Sequence, residues 1–208
     1  MKGCRPLSRE EVRATLDAFR GRHAVRNRCM FILGVTAGFR ISELLSLRLR
    51  DVIIGDDVRK DIRVARSAMK GKREGRTSLL APIARNAIIE QVKSLQENGW
   101  PNLDTYLFKS DGVANRPIRR ETAWEILQTA FKEVGVYEHV GCHAMRKTYA
   151  NETYNYMLGC VADGQALDPF IETVKALGHA DPKSTMAYLG FREEHVHNAV
   201  LHIGSLYE

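Results

Sequence analysis

The most informative residues of this chain lie in one segment, CHAMRKTYANETYNYMLGCVADGQALDPFIETVKALGHADPKSTMAY, which runs from position 142 to position 188. His143 and Arg146 stand near its start. His179 follows a Leu-Gly pair, and Tyr188 comes nine positions later. Predicted helices separate these side chains, so only tertiary packing can bring them together.

This set of side chains suits a site that binds and attacks a phosphodiester. The anionic oxygens of a phosphodiester repel nucleophiles, so fixed donors must neutralise their charge. Arginine supplies a planar fork that stays protonated, whereas histidine can donate to phosphate and also move a proton near neutral pH. A tyrosine titrates at about 10 in model peptides, and a neighbouring histidine can accept its proton.

Each residue also has an ordinary structural interpretation. His143 can cap the helix that follows it, and His179 can satisfy backbone groups after Gly178. Tyr188 is one of seven tyrosines, and similar phenols occur at Tyr149, Tyr154, Tyr156 and Tyr207. The functional interpretation therefore depends on the order and spacing of the whole set.

A second motif, AGFRISEL, occupies positions 37–44. Arg40 is predicted to open a short helix whose apolar stripe begins at Ile41, a position that suits anion binding. Together with the downstream segment, the order Arg, His-x-x-Arg, Leu-Gly-His and Tyr resembles the tyrosine recombinase (phage integrase) family. The resemblance extends from about Leu7 to Tyr188.

The resemblance implies a catalytic role for each matching residue. The residues that would hold the phosphorane oxygens are Arg40, Arg146 and His179. His143 would assist proton transfer, and Tyr188 would attack the phosphorus. The implied product is a 3′-phosphotyrosine with a free 5′-hydroxyl.

A charged hairpin, an acidic residue near Arg40 and the start of a later helix complete the candidate site. Lys70 matches the family lysine that reaches the DNA minor groove, where it would protonate the leaving oxygen, and Lys72 is the alternative. Glu43 matches an acid that would support the arginine site without carrying a proton. The residues expected to contact DNA are Lys72, Arg73, Arg76, Arg119 and Arg120. Solvated turns and helix starts would explain the same charges.

The implied fold class is α+β and mainly α, an integrase-like catalytic domain with a small antiparallel three-stranded sheet. Strands are expected within 52–54, 62–65 and 77–80. Residues 1–208 are expected to form one domain without the N-terminal core-binding domain of integrases, as a fragment or as a small single-domain recombinase. The C-terminal helix, at about 191–208, would dock on a neighbouring subunit or pack on its own.

Local patterns predict several helix boundaries. The capping box at Ser8 and Glu11 predicts a helix from about Arg9, and a second helix is expected to end at Gly38. A later helix is expected to turn Trp124, Leu127 and Phe131 toward the core. The interval from Arg146 to His179 is longer than is usual for integrases.

Charge is divided unevenly along the chain, with a net +11 over residues 1–150 and −5 over residues 151–208. The positive charge of residues 1–150 indicates a polyanionic partner, although ordinary solubilising charge is the alternative. The resemblance implies that the partner is double-stranded DNA with specific recombination sites. The protein would be a tetramer on DNA and a monomer or weak oligomer when free.

Composition excludes several other classes of protein. No apolar run is long enough to cross a bilayer, so we expect no membrane partner and a cytoplasmic, nucleoid-associated location. The four cysteines form no C-x-x-C pair and are expected to be reduced. We expect no metal site and no cofactor.

The implied function is site-specific DNA recombination of the integrase or invertase type. One alternative is a regulator on the same fold that binds DNA without cutting it, and another is DNA relaxation resembling that of a type IB topoisomerase. The complete Arg-Lys-His-Arg-His-Tyr set argues against the regulator, because a module that only binds has no use for a phenol at the cut phosphate.

Overall fold

The computed structural model describes residues 4–64, 76–138, 140–178 and 182–189. The described helices are α1 (Arg9–Ala18), α2 (Ala24–Ala37), α3 (Ile41–Ser46), α4 (Leu49–Val52), α5 (Pro82–Glu97), α6 (Arg120–Glu133), α7 (Cys142–Ala162), α8 (Pro169–Leu177) and α9 (Lys183–Leu189). The described strands are β1 (Ile53–Ile54), β2 (Asp57–Val58), β3 (Asp61–Val64) and β4 (Arg76–Leu79). The predicted mainly helical α+β class is confirmed.

Helix α1 begins where its sequence predicts. The Ser8 hydroxyl accepts a hydrogen bond from the backbone N–H of Glu11, and the Glu11 carboxylate accepts one from the backbone N–H of Ser8. Two N–H groups that a helix start leaves without partners are thereby satisfied. Arg5 holds the same carboxylate at 2.6 Å, which fixes the entry of the chain.

Helix α2 forms the centre of the core. Its buried residues are Cys29, Met30, Phe31, Ile32, Leu33, Gly34, Val35 and Ala37, which surround the helix axis. A helix that is apolar on every side is stable only when other elements cover it. Helices α5 and α7 pack against α2 and supply most of that cover.

Two glycines allow α7 to approach α2 closely. A Cβ placed on Gly34 would lie 2.5 Å from Sδ of Met145, and a Cβ placed on Gly38 would overlap the ring of Tyr149. Gly38 also ends α2 in the left-handed conformation, with φ of 63°, which strains any residue that has a Cβ. The chain turns at this point and leads directly into Arg40.

We expect Gly38→Ala to lower the free energy of unfolding by about 2 kcal/mol or more, because a left-handed backbone costs roughly 1–3 kcal/mol and the added methyl group overlaps Tyr149. Urea unfolding measures this loss. Gly55→Ala is the matched control, since Gly55 has φ of 59° but no atom within 4 Å of an added Cβ. Equal losses in both variants would contradict the packing role of Gly38.

The described strands form two separate antiparallel pairs. The prediction of a single three-stranded sheet is therefore wrong for the described residues. β1 pairs with β2, and β3 pairs with β4. Gly55, with φ of 59°, lies in a two-residue turn that folds β1 onto the residues directly after it. Val52 belongs to α4, so the first strand is shorter than expected. The hairpin residues 65–75 lie outside the described residues.

The long interval between Arg146 and His179 is mostly helical. Helix α7 continues to Ala162, and α8 begins at Pro169 with Asp168 as its N-cap. The Asp168 carboxylate accepts hydrogen bonds from the backbone N–H groups of the first turn. Among the described helices, none combines the length and apolar character needed to cross a membrane. The expected C-terminal helix lies outside the described residues.

Candidate active site at the N-terminus of helix α7

Arg40 is positioned by a buried carboxylate. Glu43 has no exposed side-chain surface, and it accepts hydrogen bonds from the backbone N–H of Arg40 at 2.8 Å and from its Nη1 at 2.7 Å. The Arg40 side chain remains 31% exposed. A buried carboxylate that fixes one edge of a guanidinium leaves other N–H groups for an anionic ligand. This arrangement suits the supporting role predicted for Glu43.

Arg146 ties two helix ends together inside the protein. Its Nη1 donates to the carbonyl oxygen of Gly38, and its Nη2 donates to that of Leu177 at 2.8 Å. The side chain is fully buried. A phosphate oxygen can therefore contact Arg146 only after the atoms that cover it move. Leu177 is also the last residue of α8, so Arg146 fixes the helix that leads toward His179.

His143 is the second residue of α7 and does not cap it. The N-cap is Gly141, so the capping interpretation of His143 is wrong. His143 is an exposed residue, and its ring centroid lies 6.5 Å from the ring centroid of Tyr188, at an interplanar angle of 53°. The two rings are 45 positions apart in sequence, so tertiary packing alone brings them together.

The pKa of His143 lies below its ordinary value of 6.5. Desolvation by nearby protein atoms is the largest cause of this lowering of the pKa. The positive charges of four neighbours lower the pKa further, in the order Arg120, Arg146, Arg40 and Lys147. At neutral pH the imidazole is therefore uncharged and can accept a proton.

We expect Arg120→Gln to raise the pKa of His143 toward 6.5, because Arg120 is the largest electrostatic cause of its depression. NMR titration of the imidazole signals measures the shift. Arg119→Gln, which removes the neighbouring charge at the start of α6, should leave the pKa unchanged. A shift of equal size in both variants would contradict a local effect of Arg120.

The lowered pKa of His143 also makes the stability of the protein depend on pH. Because the folded pKa of His143 is depressed, the unfolded chain takes up the proton first as the pH falls below about 6.5. The contribution of His143 to the free energy of unfolding is therefore present above that pH. It decreases as the pH falls toward the folded pKa.

Lys147 is a cation of the site that the sequence interpretation missed. It follows His143 by four positions on α7, and its Nζ lies 5.7 Å from the ring centroid of Tyr188. Residues four apart on a helix share one face, so His143 and Lys147 both face the half-buried Tyr188. This spacing of a basic residue after His143 was the signal available in the sequence.

The other predicted residues fall into three groups. Arg119 and Arg120 are both exposed at the start of α6, and Arg120 is close enough to His143 to act on its pKa. The predicted residues that lie outside the described residues are Lys70, Lys72, Arg73 and His179. Arg76 belongs to β4, but its side chain is not among those described. Within the described part of the chain, no group of three or more metal-ligating side chains is placed to hold a metal ion.

A cavity of about 710 Å³ opens beside His143. Its lining residues include Arg120, Cys142 and Trp124. The expected burial of Trp124 is wrong, since its residue surface is 52% exposed, whereas Leu127 and Phe131 are buried as expected. Trp124 lines the cavity together with other residues of the first two turns of α6, so it faces the cavity and not the core. The cavity gives a large ligand access to His143.

These residues together define a class of site. A fixed, partly exposed guanidinium, an uncharged imidazole and a phenol meet at the N-terminal end of a 21-residue helix, where the helix dipole favours an anion. Such a site can bind a phosphate ester and attack it with the tyrosine oxygen. The fold and the site therefore define a class of protein that can act on phosphate esters.

Comparison with known proteins agrees with this class. The sequence model of the phage integrase family matches residues 5–195. The Bacillus subtilis (strain 168) protein named "Probable integrase/recombinase YoeC" is 30% identical over 181 residues, which cover 87% of this chain and 86% of that protein. Tyrosine recombinase XerD of Halalkalibacterium halodurans is 29% identical over 187 residues, which cover 88% of this chain and 56% of XerD.

Solved structures show the same fold. The crystal structure of XerH site-specific recombinase bound to its palindromic difH substrate matches with a TM-score of 0.69 and 19% identity, over 96% of this chain and 53% of that chain. The chain belongs to the phage integrase family and has the fold of a tyrosine recombinase catalytic domain. The predicted membership of the tyrosine recombinase (phage integrase) family is confirmed. The chain spans little more than half the length of XerD and of the XerH chain.

Proposed function

We propose that this chain catalyses site-specific recombination of double-stranded DNA through a 3′-phosphotyrosine at Tyr188. The observation that carries the proposal is the meeting of Tyr188 with His143, at 6.5 Å between ring centroids, on the α7 end where Arg40 and Arg120 also act. The phenol oxygen bonds to phosphorus and the bond from phosphorus to the 5′-oxygen breaks. The ester energy is conserved in the new bond, so rejoining needs no nucleotide cofactor.

The described residues have distinct roles in this step. Arg40 binds a non-bridging oxygen with the N–H groups that Glu43 leaves available. His143 is uncharged near neutral pH and accepts the phenolic proton, which makes Tyr188 a competent nucleophile. Arg146 joins the charge stabilisation when DNA binding uncovers it, because its side chain is buried in the protein without DNA.

The remaining roles are proposed from the family pattern. His179 follows the α8 end that Arg146 fixes, where it would bind a second phosphate oxygen. Lys70 would deliver the proton that the 5′-oxygen needs in order to leave, and Lys72 is the alternative donor. With His179 and Lys70, the proposed catalytic set has the same residue types as the family pattern.

DNA binding is proposed to involve basic residues from two segments of the chain. Arg120 and Arg119 begin α6, and Arg73, Arg76 and Lys72 belong to the charged hairpin of the sequence. Exposed cations contact phosphates and contribute most of the affinity. We further propose a tetramer on paired sites, joined through residues at about 191–208, and action on the nucleoid in the cytoplasm.

The test begins with trapping, because the target sequence is not known. Fragmented genomic DNA from the organism that encodes the protein is incubated with the protein, and the covalently attached fragments are sequenced. We expect one recurrent sequence, and a plasmid with two copies of it should recombine equally well in excess EDTA and in magnesium. Relaxation of a plasmid that lacks the sequence, without recombination, would instead indicate topoisomerase activity. Binding without any covalent attachment would overturn the proposal in favour of a non-cleaving regulator.

A further inference from the structure

A second basic cavity lies at the opposite end of α2 from Arg40. It has a volume of about 160 Å³ and is lined by residues from the start of α2, the end of α5 and the loop after Lys109. Helix α2 has 14 residues, and a rise of about 1.5 Å per residue places the cavity roughly 20 Å from Arg40. The cavity is therefore separate from the candidate active site.

The charges around this cavity are unbalanced. Arg22, Arg26 and Lys109 line it, and among its described lining residues Asp111 is the one carboxylate. Asp111 is shared between His23, at 3.1 Å, and Arg22, at 3.9 Å. Three permanent positive charges against one negative charge give a net charge of +2 while His23 is neutral.

Neutral groups hold the two most enclosed cations. Lys109 is 6% exposed, its Nζ donates to the carbonyl oxygens of Ser110 at 2.9 Å and Gly112 at 2.6 Å, and it lies 3.8 Å from the ring centroid of Trp100. Arg26 donates to the carbonyl oxygen of Lys109 at 3.2 Å and to the side chain of Asn27. Within the described residues, no carboxylate forms an ion pair with Arg26 or Lys109.

Burial destabilises both positive charges. Desolvation lowers the pKa of Arg26 and of Lys109, and Asp111 offsets this effect only in part. Helix α2 adds to the imbalance, because its N-cap His23 makes no capping hydrogen bond and its first turn holds no acidic residue. The positive end of the helix dipole therefore lies beside the same cations, and among the described lining residues Asp111 is the one anion near it.

We propose that this cavity binds a phosphate group. A phosphate dianion would offset the net charge of +2. Its oxygens can accept from the N–H groups of Arg26 that Asn27 and the Lys109 carbonyl leave available, beside the positive end of α2. The group belongs either to free phosphate or to the backbone of bound DNA. Binding of free phosphate is independent of the proposed recombination, and only the DNA source rests on it.

Trp100 provides a direct readout of the cavity. The chain has two tryptophans, and Trp124→Phe leaves Trp100, which lies under Lys109, as the only one. Inorganic phosphate is titrated against this variant at constant ionic strength, with chloride as the balancing salt. We expect a saturable change in Trp100 fluorescence that sulfate, also a tetrahedral dianion, reproduces. A response that depends on ionic strength alone would overturn the proposal.

Three further variants in the same background separate phosphate binding from general effects. Arg26→Gln should weaken phosphate binding about tenfold or more, since it removes a charge-assisted hydrogen bond. Arg20→Gln is the matched control, because this arginine is 79% exposed and does not line the cavity. Asp111→Asn should tighten binding by removing a competing anion, an effect that loss of folding cannot imitate. Equal weakening by Arg26→Gln and Arg20→Gln, or weaker binding by Asp111→Asn, would overturn the proposal.

A DNA-binding experiment identifies the source of the phosphate. Affinity for a duplex is measured over a range of salt concentrations, with the trapped sequence where trapping succeeds and with an arbitrary sequence otherwise. If a backbone phosphate occupies the cavity, Arg26→Gln should reduce the slope of log affinity against log salt by about one, whereas Arg20→Gln should not. An unchanged slope together with a saturable phosphate response assigns the cavity to free phosphate. An unchanged slope without that response overturns the proposal, whether or not the protein cuts DNA.

Discussion

Replacing Tyr188 with phenylalanine should abolish covalent attachment to DNA, by more than about a thousandfold, because the substitution removes the nucleophilic oxygen. Affinity for the same duplex should stay close to that of the unmodified protein, since contacts to phosphates supply most of it. A nicked duplex that loses the leaving strand after cleavage accumulates the covalent product. Gel separation of that product measures the first quantity, and fluorescence anisotropy measures the second.

Tyr156→Phe is the matched control for this prediction. Tyr156 lies on α7, is 70% exposed and presents a phenol that a DNA strand can reach. Its replacement should leave covalent attachment unchanged. Persistence of the covalent product in Tyr188→Phe, or its loss in Tyr156→Phe, would show that a different tyrosine attacks.

Replacing Arg146 with glutamine should slow DNA cleavage by about a hundredfold or more, because the variant loses a donor that stabilises the developing charge once DNA binding uncovers it. The same variant should lose stability, by roughly 2–4 kcal/mol. The loss is expected because the carbonyl oxygens of Gly38 and Leu177 lose their buried donor. Cleavage rates are compared at a temperature at which circular dichroism shows both proteins to be folded.

Thr148→Val separates the catalytic effect from the structural one. Thr148 is buried on the same helix, accepts a hydrogen bond from the backbone N–H of Leu7 at 2.8 Å and donates to the carbonyl oxygen of Ala144. Its loss should lower stability by about 1–2 kcal/mol without slowing cleavage by folded molecules. Similar slowing in Thr148→Val and Arg146→Gln would mean that Arg146 acts only through the fold.

The features that the sequence predicted well depend on neighbouring residues. The reciprocal hydrogen bonds of Ser8 and Glu11 are made within one turn, and the stop at Gly38 follows from the conformational freedom of that residue. Arg40 stands at the start of α3 because the apolar stripe of that helix begins at the next residue. Each of these boundaries is determined by chemistry within a few positions.

The features that the sequence did not predict depend on contacts between distant elements. The pairing of β1 with β2 was missed because a two-residue turn competes with pairing to a later strand. The exposure of Trp124 reflects a gap beside α6 that periodicity does not show. The burial of Arg146 and the approach of Lys147 to Tyr188 arise where α7 meets α2, α8 and α9.

The assignment of the nucleophile is tested most directly by locating the DNA on the protein. The covalent product is digested with trypsin and a nuclease, and mass spectrometry identifies the peptide that carries the nucleotide. Tyr188 lies in the peptide of residues 184–192, whereas Tyr149, Tyr154 and Tyr156 share the peptide of residues 148–175, and Tyr207 lies beyond residue 192. We expect the nucleotide on Tyr188, joined through its 3′-phosphate. A nucleotide on either of the other peptides, or one joined through its 5′-phosphate, would contradict the proposed mechanism.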